Sequence, residues 1–257
     1  MLEQFAAGLS PLALLAAIGV TFLAGLVKGA LGFALPMIMI SGLSGFMPVQ
    51  LALVGLMLPM LLTNISQMLR QGAAAAWGST LQYWRLLISM VVFLFIGAQF
   101  LTFLPPAMPL AILGGPLVAF ALLQLMQVQI RLSLRHRERT EWITGIVAGL
   151  YGGVSGVWGP PVMVYLISDN TQKHDMVRIL GVVFMIGTLA FIAGHLASGI
   201  VTAPSMRFSA LLAVPAMLGL WAGYLVQDRL DAARFRRWTL ILLVLTGLNL
   251  MRQSVGL

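Results

Sequence analysis

Residues 22–36 read FLAGLVKGALGFALP, and residues 146–160 read IVAGLYGGVSGVWGP. Gly25, Gly29, Gly32 and Pro36 of the first stretch meet Gly149, Gly153, Gly156 and Pro160 of the second at a constant separation of 124 residues. Glycine is common in membrane helices, where small residues let backbones approach. Four coincidences in register, one of them a proline, nevertheless mark an internal repeat. Both stretches lie at the start of a half-chain, and each is a long apolar run interrupted by glycines and restarted by proline.

Working outward, apolar runs fall near 11–27, 32–46, 48–69, 85–103 and 107–129, and again near 142–154, 158–168, 177–200, 205–226 and 237–254. Such runs suit helices that cross a hydrocarbon core of about 30 Å at about 1.5 Å per residue. They lack the ten-residue alternation of a membrane β-barrel. Of the 257 residues, 60% are apolar and 9% are charged, too few to cover a soluble domain of this length. The chain is therefore expected to be an all-α polytopic membrane protein. Its two halves, 1–129 and 141–257, flank a basic cytoplasmic linker at 130–140, and each half is a Gly/Pro-broken hairpin followed by three transmembrane helices.

Lys and Arg gather in three connections, Arg70 to Arg85, Arg131 to Arg139 and Arg229 to Arg237. Placing these in the cytoplasm by the positive-inside rule makes 142–154 and 158–168 a hairpin that enters and leaves on one side. The pair 11–27 and 32–46 is its counterpart from the opposite side, so the repeat is inverted and both termini are external. The net charge of +8 is thus accounted for by short loops in a lipid bilayer, and no nucleic acid is expected as a partner. Met1 to Ser10 carries no Lys or Arg ahead of its apolar run, so the first segment is expected to be retained rather than cleaved. The absence of cysteine excludes disulfides and thiolate chemistry. No metal site and no other cofactor is expected.

Paired, Gly/Pro-interrupted segments at matching places in two halves point to the binding site of a secondary transporter. A helix broken in the membrane frees backbone N–H and C=O groups that need partners. A helix restarted at Pro36, or at Pro160 and Pro161, presents an N-terminal end whose partial charge favours anions. Backbone N–H groups around Gly29 to Gly32 and Gly153 to Gly156 are expected to bind oxyanion oxygens where the two hairpins meet. Lys28, opposite Gly152 in the repeat, adds a charge that marks function when it lies in a membrane; otherwise it snorkels to the surface.

Trp158 and Tyr165 flank the second break, and Trp158 is expected to shape the cavity. Ser155, Asn64 and His195 complete the candidate residues, with interhelical hydrogen bonding an equally good account of Asn64, Gln67 and His195. Glu3, Glu138, Glu141, Asp169, Asp175, Asp228 and Asp231 all fall at segment ends or in loops. Proton coupling would therefore fall to His195 or Lys28, and sodium to freed carbonyls with Asn64 or Ser155. Arg178 with Lys173 and His174 forms either an anion vestibule or an ordinary basic loop. Trp77, Trp84, Trp142 and Trp238 read as interfacial anchors.

Two other functions fit parts of the pattern. The same pocket suits an uncoupled anion channel. Gly153-Val154-Ser155-Gly156 resembles the serine motif of rhomboid intramembrane proteases, with His195 as base. Leu31 stands at the repeat position of Ser155, and the glycines already belong to the repeat, so a non-enzymatic reading is preferred.

The stretches AGLVKGALGFALPMIMI (24–40), AGLYGGVSGVWGPPVMVYL (148–166), TNISQMLR (63–70) and KHDMVR (173–178) resemble the sulfite exporter TauE/SafE family of membrane permeases. The resemblance implies transport of a small anion, typically sulfite, a sulfonate, sulfoacetate or a related organic acid, across a bacterial cytoplasmic membrane. Many members have a more fully glycine-rich first repeat, so Lys28 reads as a substrate-tuning departure.

Overall fold

The computed structural model describes residues 8–70, 72–105, 107–128, 131–226 and 232–255. Glu3, Asp228, Arg229 and Asp231 lie outside the described residues, as do the side chains of Lys173 and His174. Among the described residues the regular structure is helical throughout: α1 (Pro11–Leu31), α2 (Leu35–Leu43), α3 (Val49–Leu69), α4 (Ala73–Gln82), α5 (Trp84–Phe100), α6 (Ala107–Leu125), α7 (Arg137–Ser155), α8 (Gly159–Ser168), α9 (Lys173–Ala197), α10 (Ala203–Val226) and α11 (Ala232–Ser254). Five of these helices (α1, α3, α6, α9 and α10) are long and apolar enough to cross a membrane, and α4 and α5, bent by 82° at their junction, reach that length and hydropathy together. The protein is an all-α, multi-pass membrane protein.

The two glycine-rich stretches end their helices in the same way. Gly32 and Gly156 close α1 and α7 in the left-handed region, at φ 82° and 73°. Each donates its N–H to the carbonyl four residues back, Gly32 to Lys28 and Gly156 to Gly152, both at 2.7 Å. Glycine takes this conformation without a Cβ penalty, which is why both helices stop there. The chain restarts at Leu35 and Gly159, with Pro36 and Pro160 in the first turn.

Two compact units emerge, and each draws on both halves of the chain. The first holds α1, α2, α3 as far as Thr63, α6, α10 and α11; the second holds the end of α3 from Asn64, α4, α5, α7, α8 and α9. In the first unit α1 lies along α10, and in the second α7 lies along α5. Small residues make both contacts. A Cβ on Gly25 or Gly29 would strike the backbone of Ala216, Leu220 and Gly223, and one on Gly149 or Gly153 would strike that of Met90, Leu94 and Ala98. With no hydrophobic drive between helices in lipid, such close backbone approach supplies the packing.

Within the first unit, α3 contains Pro59. Proline has no N–H to give to the carbonyl of Gly55, and its ring opens that turn. Ser209 of α10 repairs the gap, its Oγ donating to the Gly55 carbonyl (3.1 Å) and accepting from the Leu58 N–H (2.9 Å). Ser209→Ala removes both bonds and takes the side-chain donor from the Gly55 carbonyl, and is expected to cost about 1–3 kcal/mol. A fall in the thermal midpoint of purified protein would register it; an unchanged midpoint would mean that the turn closes by itself.

The helices depart from the apolar runs at charged ends. The Arg70 to Arg85 connection contains α4, whose Ala73–Ala76 run has high helix propensity. Helix α7 begins at Arg137 rather than near 142, which brings Glu138 and Glu141 into it. Glu141 thus stands in the second turn of α7, near its charged end, and is 2% exposed. Its charge is met by Arg137 (3.1 Å) and Arg85 (3.9 Å), and Tyr165 donates to it at 2.9 Å. Arg137 also reaches Asp169 (3.1 Å) and Arg85 reaches Glu138 (2.6 Å), so one ion network ties the charged ends of α5, α7 and α8.

Candidate functional site

In the first unit, Lys28 occupies the last turn of α1, ahead of the break, and is 2% exposed. Its Nζ donates to Thr63 Oγ1 at 3.0 Å, and Thr63 donates in turn to the Pro59 carbonyl at 2.7 Å. The amine belongs to the C-terminal end of α1, where the partial negative charge of the last carbonyls favours its protonated form. Between α1 and α2, Ala34 sits at φ 79°. A non-glycine residue there is strained, which marks a built break rather than a loose one.

In the second unit, Ser155 Oγ donates to the Tyr151 carbonyl (2.6 Å) and accepts from the Val157 N–H (3.1 Å). It closes the end of α7. Trp158 caps α8 and is 2% exposed. Its indole covers two glycines: a Cβ on Gly152 would lie 2.8 Å from Trp158 Cβ, and one on Gly187 would lie 2.6 Å from its Nε1. Phe191 stacks at 5.8 Å from Trp158 and 4.1 Å from the fully buried His195, between ring centroids. His195 Nδ1 lies 2.9 Å from the Phe191 carbonyl. Trp158 Nε1 and His195 Nε2 are buried with no hydrogen-bond partner. Ser155 and His195 form no hydrogen bond with each other.

Asn64 joins the end of α3 to α9, donating to the Phe184 carbonyl (3.1 Å) and to Thr188 Oγ1 (2.8 Å). Gln67 does the same one turn on, at the Val177 carbonyl (3.3 Å). Arg178 pairs with Asp175 (3.0 Å) and donates to Ser79 (3.0 Å), tying α9 to α4. Trp84 and Trp142 meet edge to face at 6.0 Å, both partly exposed.

Gly29 and Gly153 are packing residues within helices, and the N–H groups of Gly32 and Gly156 are engaged by Lys28 and Gly152. The donors of the restarts lie further along. Pro36, Pro160 and Pro161 have no N–H, which leaves Leu35 and Met37 at the start of α2 and Gly159 at the start of α8.

The repeat separation of 124 also relates residues outside the glycine stretches. Lys28, Thr63 and Ala34 stand where the second half has Gly152, Gly187 and Trp158. One half thus has a cation, a hydroxyl and a small residue; the other has two glycines under an indole. Thr63, Gly187, Thr188 and Phe191 were not singled out from sequence, although extending the repeat register would have found Thr63 and Gly187 as partners. Glu141 reads as a segment end, with no sign in the sequence of the partners that bury it.

No curated protein and no solved structure matches the chain. The profile of the family described as Sulfite exporter TauE/SafE matches residues 17–250, which takes in both helix breaks, Lys28, Trp158 and His195. A match over most of the chain, on a fold of apolar helices twice broken at glycine, shows that the protein belongs to the TauE/SafE family of sulfite exporter permeases.

Proposed function

We propose that the protein is a secondary transporter, not an enzyme, that carries a small sulfur-containing anion across a bacterial cytoplasmic membrane by alternating access. The observation that carries this reading is Lys28, a lysine whose amine is buried in the last turn before a built helix break. A charge kept at such a place is expensive and favours an anionic ligand. In the first unit the binding groups are Lys28 and the open N–H groups of Leu35 and Met37 beside Pro36. In the second they are the Gly159 N–H and Trp158 Nε1, with Gly153, Ser155, Gly156 and Pro160 holding the break. The halves 1–129 and 141–257 act as inverted repeats, with both termini external and the Arg131 to Arg139 connection cytoplasmic.

A ligand that binds only the folded protein raises its stability by about 2.7 kcal/mol when present at 100 times its Kd. Purified protein is therefore expected to show a selective rise in thermal midpoint with one class among sulfite, sulfate, thiosulfate, sulfoacetate, isethionate, taurine and carboxylate analogues. The same anion should accumulate in proteoliposomes. A flat response to every anion, with no uptake, would sink the proposal.

A further inference from the structure

We propose that His195 Nε2 is the proton-binding atom of the transport cycle, so that the anion moves together with a proton. This rests on the transport reading above and assigns its coupling ion. The Phe191 carbonyl, 2.9 Å from His195 Nδ1, can only accept a hydrogen bond. Nδ1 therefore carries the ring hydrogen, and in the neutral imidazole Nε2 presents a bare lone pair. That lone pair is buried and meets no donor. A buried acceptor left unmet in a close-packed interior calls for a ligand that brings a hydrogen.

The surroundings favour His195 for this role over any other group of its unit. Gln99 of α5 donates to the Gly194 carbonyl at 2.9 Å, which sets the C-terminal end of α5 beside His195. The charged residue of α5, Arg85, is then roughly 20 Å away along the helix. On α7, Gly153 packs against Ala98, so Arg137, Glu138, Arg139 and Glu141 lie at least about 18 Å further down. Tyr165 of α8 bonds to Glu141 and Asp169 to Arg137, at that same far end. Lys173, His174, Asp175 and Arg178 of α9 are about 25 Å or more from His195 along the helix. Helix α4 and residues 64–69 of α3 contain no titratable side chain. Tyr151 of α7 is nearer, but a phenol ordinarily titrates at about 10 and keeps its proton in the neutral range.

The chemistry balances simply. The Nε2 lone pair takes a proton, the ring becomes a cation, and no bond to Phe191 is lost. An imidazolium beside an anion is neutral as a pair, which lowers the cost of holding the anion in a low-dielectric interior. On the other side of Phe191, Trp158 Nε1 is a buried donor without a partner, suited to an anion oxygen. The proton has two possible sources: solution, or the acidic O–H of a hydrogen oxyanion that donates directly to Nε2.

The test is proton flux with anion flux in proteoliposomes holding an entrapped pH dye, using sulfite and isethionate in parallel. The wild-type protein is expected to acidify the lumen as the anion enters. Isethionate has no acidic O–H, so coupling with isethionate that disappears in both His195→Gln and His195→Phe shows uptake from solution. Coupling with sulfite that is kept in His195→Gln shows a proton that stays on the anion, since an amide carbonyl accepts an O–H but does not take up its proton, and it overturns Nε2 as the proton-binding atom. Wild-type protein that moves either anion without protons overturns the inference and leaves the permease reading standing. So does a His195→Phe variant with an unchanged proton-to-anion ratio. Wild-type protein that moves neither anion overturns the transport reading itself.

Discussion

Replacing Lys28 with methionine is expected to raise the thermal midpoint of the ligand-free protein and, at the same time, to weaken anion binding about 10- to 100-fold. The two effects have opposite signs because they come from opposite sides of one interaction. Burying a charged amine in a membrane helix costs several kcal/mol even where, as here, Thr63 Oγ1 accepts a hydrogen bond from it. Methionine keeps the unbranched stem and its packing and removes the charge, while Thr63 keeps its bond to the Pro59 carbonyl. A charge-assisted hydrogen bond to a bound anion is worth about 1.5–3 kcal/mol, and each 1.4 kcal/mol is about tenfold in affinity. Thermal scans with and without the best anion, and a titration for Kd, measure both effects. A lower ligand-free midpoint with unaltered affinity would make Lys28 a scaffold residue.

The breaks were legible because their cause is local. Glycine at the αL position and proline one turn later are sequence signals in themselves, and Gly32, Gly156, Pro36 and Pro160 sit where those signals put them. Charged helix ends were not legible. Arg137 looks like a loop residue and Glu141 like the edge of a segment until Arg85, Tyr165 and Asp169, distant in sequence, arrive to satisfy them. Helix α4 was hidden for a related reason: with little apolar face to report, its alanines announce only propensity, which hydropathy does not register.

The candidate site divides along the same line. Lys28 stands out because a lone cation in an apolar run is rare whatever surrounds it. Its partner Thr63, and the aromatic stack of Trp158 and Phe191 on His195, depend on α3 and α9 coming alongside the breaks. Asn64 and Ser155 illustrate the converse. Both are polar residues in apolar surroundings, and their side-chain bonds go to the Phe184 and Tyr151 carbonyls and to Thr188. A polar residue type marks a need for a partner, and sequence does not reveal whether the partner is a ligand or the next helix.

The glycines pose that question most sharply, and Gly153→Ala is expected to answer it with a large loss of stability. A Cβ at position 153 would lie 2.5 Å from the Leu94 carbonyl oxygen and 2.6 Å from the Ala98 nitrogen. These are backbone atoms, so no side-chain rotation relieves the clash, and α5 and α7 must move apart along their contact. Overpacking of this kind costs about 1–3 kcal/mol, and more where backbone has to shift. A fall of about 3 kcal/mol or loss of monodisperse protein is expected, with Gly29→Ala doing the same at the α1–α10 contact. Gly19→Ala is the control, since a Cβ there meets nothing within 4 Å. That substitution removes a helix-interior glycine and is expected to be neutral or stabilising by up to about 1 kcal/mol. Opposite signs at Gly19 and Gly153 would assign the repeated glycines to close packing of the broken hairpins. A Gly153→Ala protein that folds normally but no longer responds to anions would instead put its backbone in the binding site, and the packing account would fail.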